Sequence, residues 1–301
     1  MVPLISPSLT DLGQGVWLLD AHHLATPRQG GVYILSGRPA ALVEAGTSIA
    51  RERVLTALHE VGIARAEVGW IFLTHIHLDH AGGVGGLLRE LPEARAVVHA
   101  RGARHLVDPS RLVASVRDAV QERFAYYGTV EPIPPDRLHV AQDGEVFPLD
   151  RFRVRAVDAP GHAPHHLCFF TEGERILFTG DAVGLYLDGV LLPSTVPPSF
   201  DLELSLSTLD RLIGLHPEVL LFTHFGPGSP DLLSRYAELL RRWVERVGRL
   251  RGRCRSEEEL VKTVLAEAAR EGLVPPGPAG GDLAMSVRGA AAYLARREGA
   301  T

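Results

Sequence analysis

Asparagine is absent from the 301 residues, lysine occurs once (Lys262), and methionine and cysteine occur twice each. Two scattered cysteines, Cys168 and Cys254, cannot build a disulfide framework, so the fold must rest on a hydrophobic core and a reducing compartment is expected. Scarce Asn, Gln, Met and Cys suit a thermophile. A GC-rich genome, which favours Arg over Lys, explains the same pattern equally well. No apolar run approaches the ~20 residues of a membrane span. The opening "MVPLISPSLTDLGQG" lacks a charged leader followed by an apolar stretch, so a cytoplasmic protein without a membrane partner is expected. An excess of basic charge is missing too: the net charge is -5, which gives no overall case for a nucleic-acid partner.

Hydrophobic residues make up 46% of the chain, enough for one large domain with an appendage. Up to residue 228 short apolar runs alternate with helical patterns. "VYILSG" and "AALVEAG" read as a hairpin, "VGWIFLT", "ARAVVHA" and "PEVLLFTH" as buried strands, and "IARERVLTALHEVG" as a helix. "PSRLVASVRDAVQERFAYYG" reads as an inserted helix, either lying on the core or forming a lid. From Ser229 onward the pattern is helical. Asp231 is placed to cap a helix striped by Leu232, Tyr236, Leu239, Leu240, Trp243, Val247 and Leu250, and Ser256 with Glu259 forms a capping box for the next. "VPPGPAGG" would link to a last helix near Asp282–Glu298. The expected organisation is therefore an α/β domain over 1–228 and a helical extension over 229–301. An arginine run, Arg241 to Arg255, is ordinarily a solvated helix face; a nucleic-acid patch is the alternative.

The densest signal is "FLTHIHLDHAGG", which puts His75, His77, Asp79 and His80 within six residues, straight after an apolar run. They fall where a strand turns into a helix, at a carboxyl end of a sheet, where open α/β folds place their sites. His75 and His77 can point one way, Asp79 and His80 another, and two chelating pairs suggest two metals. Three more ligand types sit in Gly-rich loops at strand ends: His162 in "VDAPGHAPHH", Asp181 in "ILFTGDAVG" and His224 in "VLLFTHFGPG". Imidazole with carboxylate suits Zn²⁺, and also Fe or Mn²⁺. Asp181 can bridge two ions with its two oxygens. His22, His23, His99, His105, His139 and His216 read as ordinary hydrogen-bonded residues.

"HIHLDH" followed by "PGH", "FTGD" and "FTH" resembles the metallo-β-lactamase superfamily, over roughly residues 10 to 228. The resemblance implies an αββα sandwich with its site at one edge between the sheets. It also implies a first metal on His75, His77 and His162, a second on Asp79, His80 and His224, and Asp181 between them. Asp79 would help orient or deprotonate the attacking water. Glu44, in "ALVEAG", stands where the family often has an aspartate that supports a ligand histidine.

A water between two cations loses a proton near neutral pH and becomes a nucleophile. The leading expectation is thus a dinuclear hydrolase of an ester, thioester or lactone, with a small-molecule substrate. Tyr186 is the candidate donor to the developing oxyanion; packing in a strand is its other reading. The helical tail is similar in placement to that of thioesterases of the glyoxalase II type, where it helps bind substrate; covering the core or making a homodimer contact are the alternatives. Two other classes compete. A di-iron redox protein of the same fold usually has a glutamate where this chain has His77, and an attached flavodoxin domain. A metal-dependent nuclease or phosphodiesterase draws support only from the arginine run.

Overall fold

The computed structural model describes residues 8–273 and 280–299. The first seven residues and 274–279, most of the Pro/Gly linker expected above, lie outside the described residues. Two compact units emerge. The first holds the chain up to Asp158 together with Leu167–Phe178; the second holds Ala159–His166 and everything from Thr179 onward.

In the first unit, seven strands form one sheet in chain order: β1 (Leu9–Asp11), β2 (Val16–Asp20), β3 (Gly31–Leu35), β4 (Ala40–Val43), β5 (Val68–Phe72), β6 (Arg95–His99) and β7 (Leu138–Ala141). β1 to β4 run antiparallel, and β4 to β7 parallel. β4, β5 and β6 read as near-continuous apolar sequence, as strands covered on both faces require, while the edge strand β7 leaves Val140 exposed. Its crossovers carry α1 (Arg51–Glu60), α2 (Leu78–Ala81), α3 (Val84–Glu90), α4 (Ala100–Val107) and α5 (Ser110–Val120). Val54 and Leu58 of α1, Leu87 and Leu88 of α3 and Leu106 of α4 join Leu19, Ile34, Leu42, Ile71 and Val98 of the sheet in one buried cluster. Each such side chain contributes about 1.5–3 kcal/mol of burial at most. α5 is the inserted helix. None of its residues is fully buried, and a 3-10 turn continues it to Tyr126.

A second, antiparallel layer in this unit comprises β8 (Val146–Pro148), β9 (Arg153–Asp158), β10 (Leu167–Thr171) and β11 (Ile176–Phe178). Aromatic rings join the two layers. Phe72 meets Phe147 at 5.2 Å and Phe169 at 5.0 Å, and Tyr33 meets Phe178 at 5.3 Å. The sandwich therefore closes face to face along β3 and β5, the strand that feeds the histidine motif.

The second unit contains the hairpin β12 (Leu185–Leu187) and β13 (Val190–Leu192), then α6 (Leu202–Gly214), the pair β14 (Val219–Phe222) and β15 (Gly226–Gly228), and α7 (Leu232–Arg251), α8 (Glu257–Arg270) and α9 (Gly280–Gly299). α7 packs against α6, α8, α9 and β13, and its expected stripe from Leu232 to Leu250 is entirely buried. Three arginines of the run are ion-paired: Arg246 with Glu271, Arg249 with Glu267 and Arg251 with Glu298.

Two capping expectations need correction. Asp231 stands at the start of α7 without capping it, because its carboxylate is turned to Ser229 and Arg235. Ser256 does accept the Glu259 N–H, but Glu259 reaches back to the N–H of Arg255 and leaves the box half made. Among the described residues, no helix is long and apolar enough to cross a membrane.

Candidate metal centre

The first unit supplies four of the expected ligands. β5 stops at Phe72, Thr74 to His77 run on without helix, and α2 begins at Leu78 with His77 just before it. Asp79 and His80 therefore occupy the first turn of α2. The end of β4 holds this loop at both ends: Glu44 N–H donates to Phe72 O and Ala45 N–H to His80 O, each at 2.8 Å. A Cβ on Gly83 would lie 2.6 Å from Ala45 O, so only glycine lets the helical segment settle on this strand end.

Hydrogen bonds assign the ring tautomers, as the network around a histidine generally does. Glu44 is fully buried, and its Oε1 lies 2.9 Å from Nδ1 of His80. The carboxylate holds the Nδ1 proton, so His80 Nε2 carries the lone pair; it lies 3.6 Å from Asp79 Oδ2. Glu44 Oε1 also accepts the Thr74 hydroxyl at 2.6 Å. Thr74 Oγ1 can then only accept from His75 Nδ1, 3.0 Å away, which turns the His75 Nε2 lone pair toward His77. Those two facing nitrogens, His75 Nε2 and His77 Nδ1, are 2.9 Å apart. Nitrogens so placed must share a proton or a cation. Glu44 itself has φ 72°, a left-handed conformation that a side chain tolerates only where its surroundings compel it.

His23 was expected to be an ordinary residue, but its Nε2 lies 4.0 Å from Asp79 Oδ2. Its ring also stands edge-on to Tyr127 at 5.5 Å. The end of the inserted segment therefore reaches the neighbourhood of Asp79, something no local pattern in the sequence announced.

The second unit supplies His162, Asp181 and His224. The Pro160–Gly161 turn presents His162. A Cβ on Gly161 (φ 137°) would lie 2.6 Å from Ser205 N, so glycine lets the turn rest on the start of α6. His162 Nδ1 donates to Ser194 O at 2.9 Å, which again leaves the lone pair on Nε2. Asp181 stands between two histidines: Oδ2 is 3.7 Å from His162 Nε2, and Oδ1 is 3.7 Å from His224 Nε2. The Ser194 hydroxyl donates to Asp181 Oδ2 at 2.9 Å, and Asp181 N–H donates to His166 Nε2 at 3.1 Å. Ser194 and His166 carried no sequence signal of their own. Ser194 N–H donates in turn to Tyr236 Oη. Burial pushes the Tyr236 phenol far above its usual range, so it stays neutral. Tyr186 lies in β12. Its backbone pairs with His224 and Phe225, and its ring tilts against Phe222 at 5.2 Å.

All seven expected ligands are among the His and Asp side chains that could hold a metal ion. The donors fit such an ion. His75, His80 and His162 each commit Nδ1 to an outer partner and carry the lone pair on Nε2, the arrangement by which proteins fix metal-ligand histidines. The mixture of imidazole and carboxylate accepts zinc, iron or manganese alike.

Comparison with known proteins gives a consistent result. Residues 25–224 match the family model described as the metallo-β-lactamase superfamily. The metallo-β-lactamase fold-containing protein ST1585 of Sulfurisphaera tokodaii is 30% identical over 230 residues, covering 74% of this chain and 83% of that protein. The metallo-β-lactamase family protein TTHA1429 of Thermus thermophilus superposes with a TM-score of 0.67 at 26% identity, covering 96% of each chain. An atrochrysone carboxyl ACP thioesterase of Aspergillus fumigatus is 33% identical over 153 residues, which span 50% of this chain and 39% of that protein.

Proposed function

Because this chain belongs to the metallo-β-lactamase superfamily, with its αββα fold, we propose that it is a dinuclear metal-dependent hydrolase of an ester, thioester or lactone. In this reading residues 1–228 are the catalytic domain and 229–301 an extension. The His and Asp side chains that could hold a metal ion would take two divalent ions, most suitably zinc. His75, His77 and His162 would hold one ion, and Asp79, His80 and His224 the other. The observation that carries the reading is the double approach of Asp181, with one oxygen toward His162 and the other toward His224. A carboxylate so placed can serve two cations at once.

Divalent cations bound there would supply Lewis acidity and bring the pKa of water down toward neutrality. The chain's own residues do the rest. Asp79, with side-chain exposure of 20%, would accept a proton from the attacking water, whose oxygen bonds to the carbonyl carbon, and return that proton to the alkoxide or thiolate as the C–O or C–S bond breaks. Glu44 and Ser194 keep the imidazoles from rotating as charge develops. Tyr186 is the candidate donor to the oxyanion. A carbonyl substrate is favoured over a phosphodiester because Arg246, Arg249 and Arg251 of the arginine run are engaged with glutamates. Among carbonyl substrates, the thioesterase relative supports a thioester.

The test is a substrate panel with the zinc-loaded protein: aryl esters, acyl thioesters, lactones, β-lactams and phosphodiesters. Turnover of a thioester, ester or lactone well above that of phosphodiesters is expected. Turnover confined to phosphodiesters would overturn the carbonyl reading. Oxygen consumption by an iron-loaded protein inert to the whole panel would overturn hydrolysis altogether.

A further inference from the structure

The segment Pro193–Thr195, which follows β13, touches two proposed ligands at once through Ser194. Its carbonyl accepts from His162 Nδ1 and its hydroxyl donates to Asp181 Oδ2. What holds this segment in place comes from the C-terminal helices. Ser194 N–H donates to Tyr236 Oη of α7 at 3.1 Å. Pro193 O accepts from Ser286 Oγ of α9 at 2.8 Å. Thr195 donates twice to Ser286, from its N–H to Oγ at 3.3 Å and from its hydroxyl to the carbonyl at 2.5 Å. Trp243 Nε1 approaches the same carbonyl at 3.4 Å. Tyr236, Trp243 and Ser286 are all buried. A Cβ on Gly289 would fall 1.9 Å from Thr195 O, so glycine at this position of α9 permits the approach.

A hydrogen-bonded strap of three residues thus lies between the tail and the ligands, and its polar groups point both ways. We propose that α7 and α9 act as a clamp on this strap, with Tyr236 and Ser286 as positioning residues that set His162 and Asp181 for metal binding. The tail then has a role beyond covering the core or meeting substrate: it sets the affinity of the metal site from outside. The inference rests on His162 and Asp181 being metal ligands.

The physical reason is the stiffness that buried, fully used hydrogen bonds confer. Ser194 can fix the His162 tautomer and share the Asp181 charge only while its own backbone is fixed. Removing Tyr236 Oη leaves a buried N–H to find another acceptor, which rotates the Ser194 peptide. Removing Ser286 Oγ loosens Pro193 and Thr195 on either side.

The experiment compares wild type, Tyr236→Phe and Ser286→Ala, with Leu250→Ala as a control that loses apolar packing in α7 without touching the strap. Zinc affinity is read by competition with a chromophoric chelator well below each melting temperature, and the visible spectrum is read on the cobalt-substituted proteins. Folded Tyr236→Phe and Ser286→Ala should bind about tenfold more weakly, the low end of what residues holding a ligand histidine contribute, with a changed cobalt spectrum. Leu250→Ala should melt earlier with unchanged affinity and spectrum. Unchanged affinity and spectrum in both strap variants overturn the clamp, as does an equal loss of affinity in Leu250→Ala. Tyr236→Phe removes a single oxygen and decides the matter if Ser286→Ala does not fold. Failure of the wild type to take up metal at all overturns the metal reading beneath the clamp, a different outcome from wild-type uptake that the variants leave unchanged.

Discussion

Glu44 and His80 meet at 2.9 Å with both side chains fully withdrawn from solvent. A buried carboxylate against an imidazole makes the ring a stronger electron donor and fixes which nitrogen faces a metal. Glu44→Gln keeps the volume and one acceptor but loses the charge. We predict metal binding weakened by about 10–100-fold with the fold retained, measured by chelator competition and circular dichroism. Affinity equal to wild type would show that Glu44 merely fills the end of β4.

Asp181→Ala should abolish hydrolysis and the stabilisation that zinc confers. A ligand at about a thousand times its dissociation constant raises stability by ~4 kcal/mol, so the wild-type melting temperature should climb on adding zinc and that of the variant should not. Without metal the two proteins should melt within a few degrees of each other, since removing a buried carboxylate also removes its desolvation cost. A variant that zinc stabilises as fully as wild type contradicts the bridging role.

Asp79→Ala should act differently. Asp79 sits in the first turn of α2 and retains some exposure to water, unlike its neighbour His80. Turnover should fall at least as much as metal retention, because a ligand and the water's hydrogen-bond partner are lost together. Steady-state rates at saturating zinc, set beside metal content, separate the two. Full activity in metal-replete Asp79→Ala would remove it from the chemistry.

The tail should not bind nucleic acid. Arg246, Arg249 and Arg251 are each engaged with a glutamate of α8 or α9, or of the turn that follows α8, and the rest of the chain is acidic. Single- and double-stranded RNA and DNA titrated at low and moderate salt should show no tight binding. Affinity that falls steeply with salt, the signature of several phosphate contacts, would count against this, the more so if Arg241→Glu and Arg242→Glu removed it.

Much of the sandwich and the proposed cage was legible because their signals are local. Buried parallel strands read as apolar runs, and four of the ligands crowd into "HIHLDH". What was not legible works through distance or through the backbone. Ser194 touches His162 with a carbonyl, an atom every residue possesses. Ser286 reaches Thr195 across 91 positions, and His23 comes beside Asp79 only because left-handed residues at His22, Leu24 and Ala25 turn that loop. The Asp231 cap and the Glu259 half of the capping box are missing for a related reason. Asp231 and Glu259 have the right chemistry, but Ser229, Arg235 and the Arg255 amide compete for their oxygens.

The proposed hydrolysis requires the chain to hold two metal ions. The most direct measurement is metal content by mass spectrometry after saturating the metal-free, refolded protein with zinc and removing the loosely bound excess. Two zinc ions per chain are expected, falling sharply in Asp181→Ala. One ion per chain at saturation, in protein shown to be folded, would contradict it.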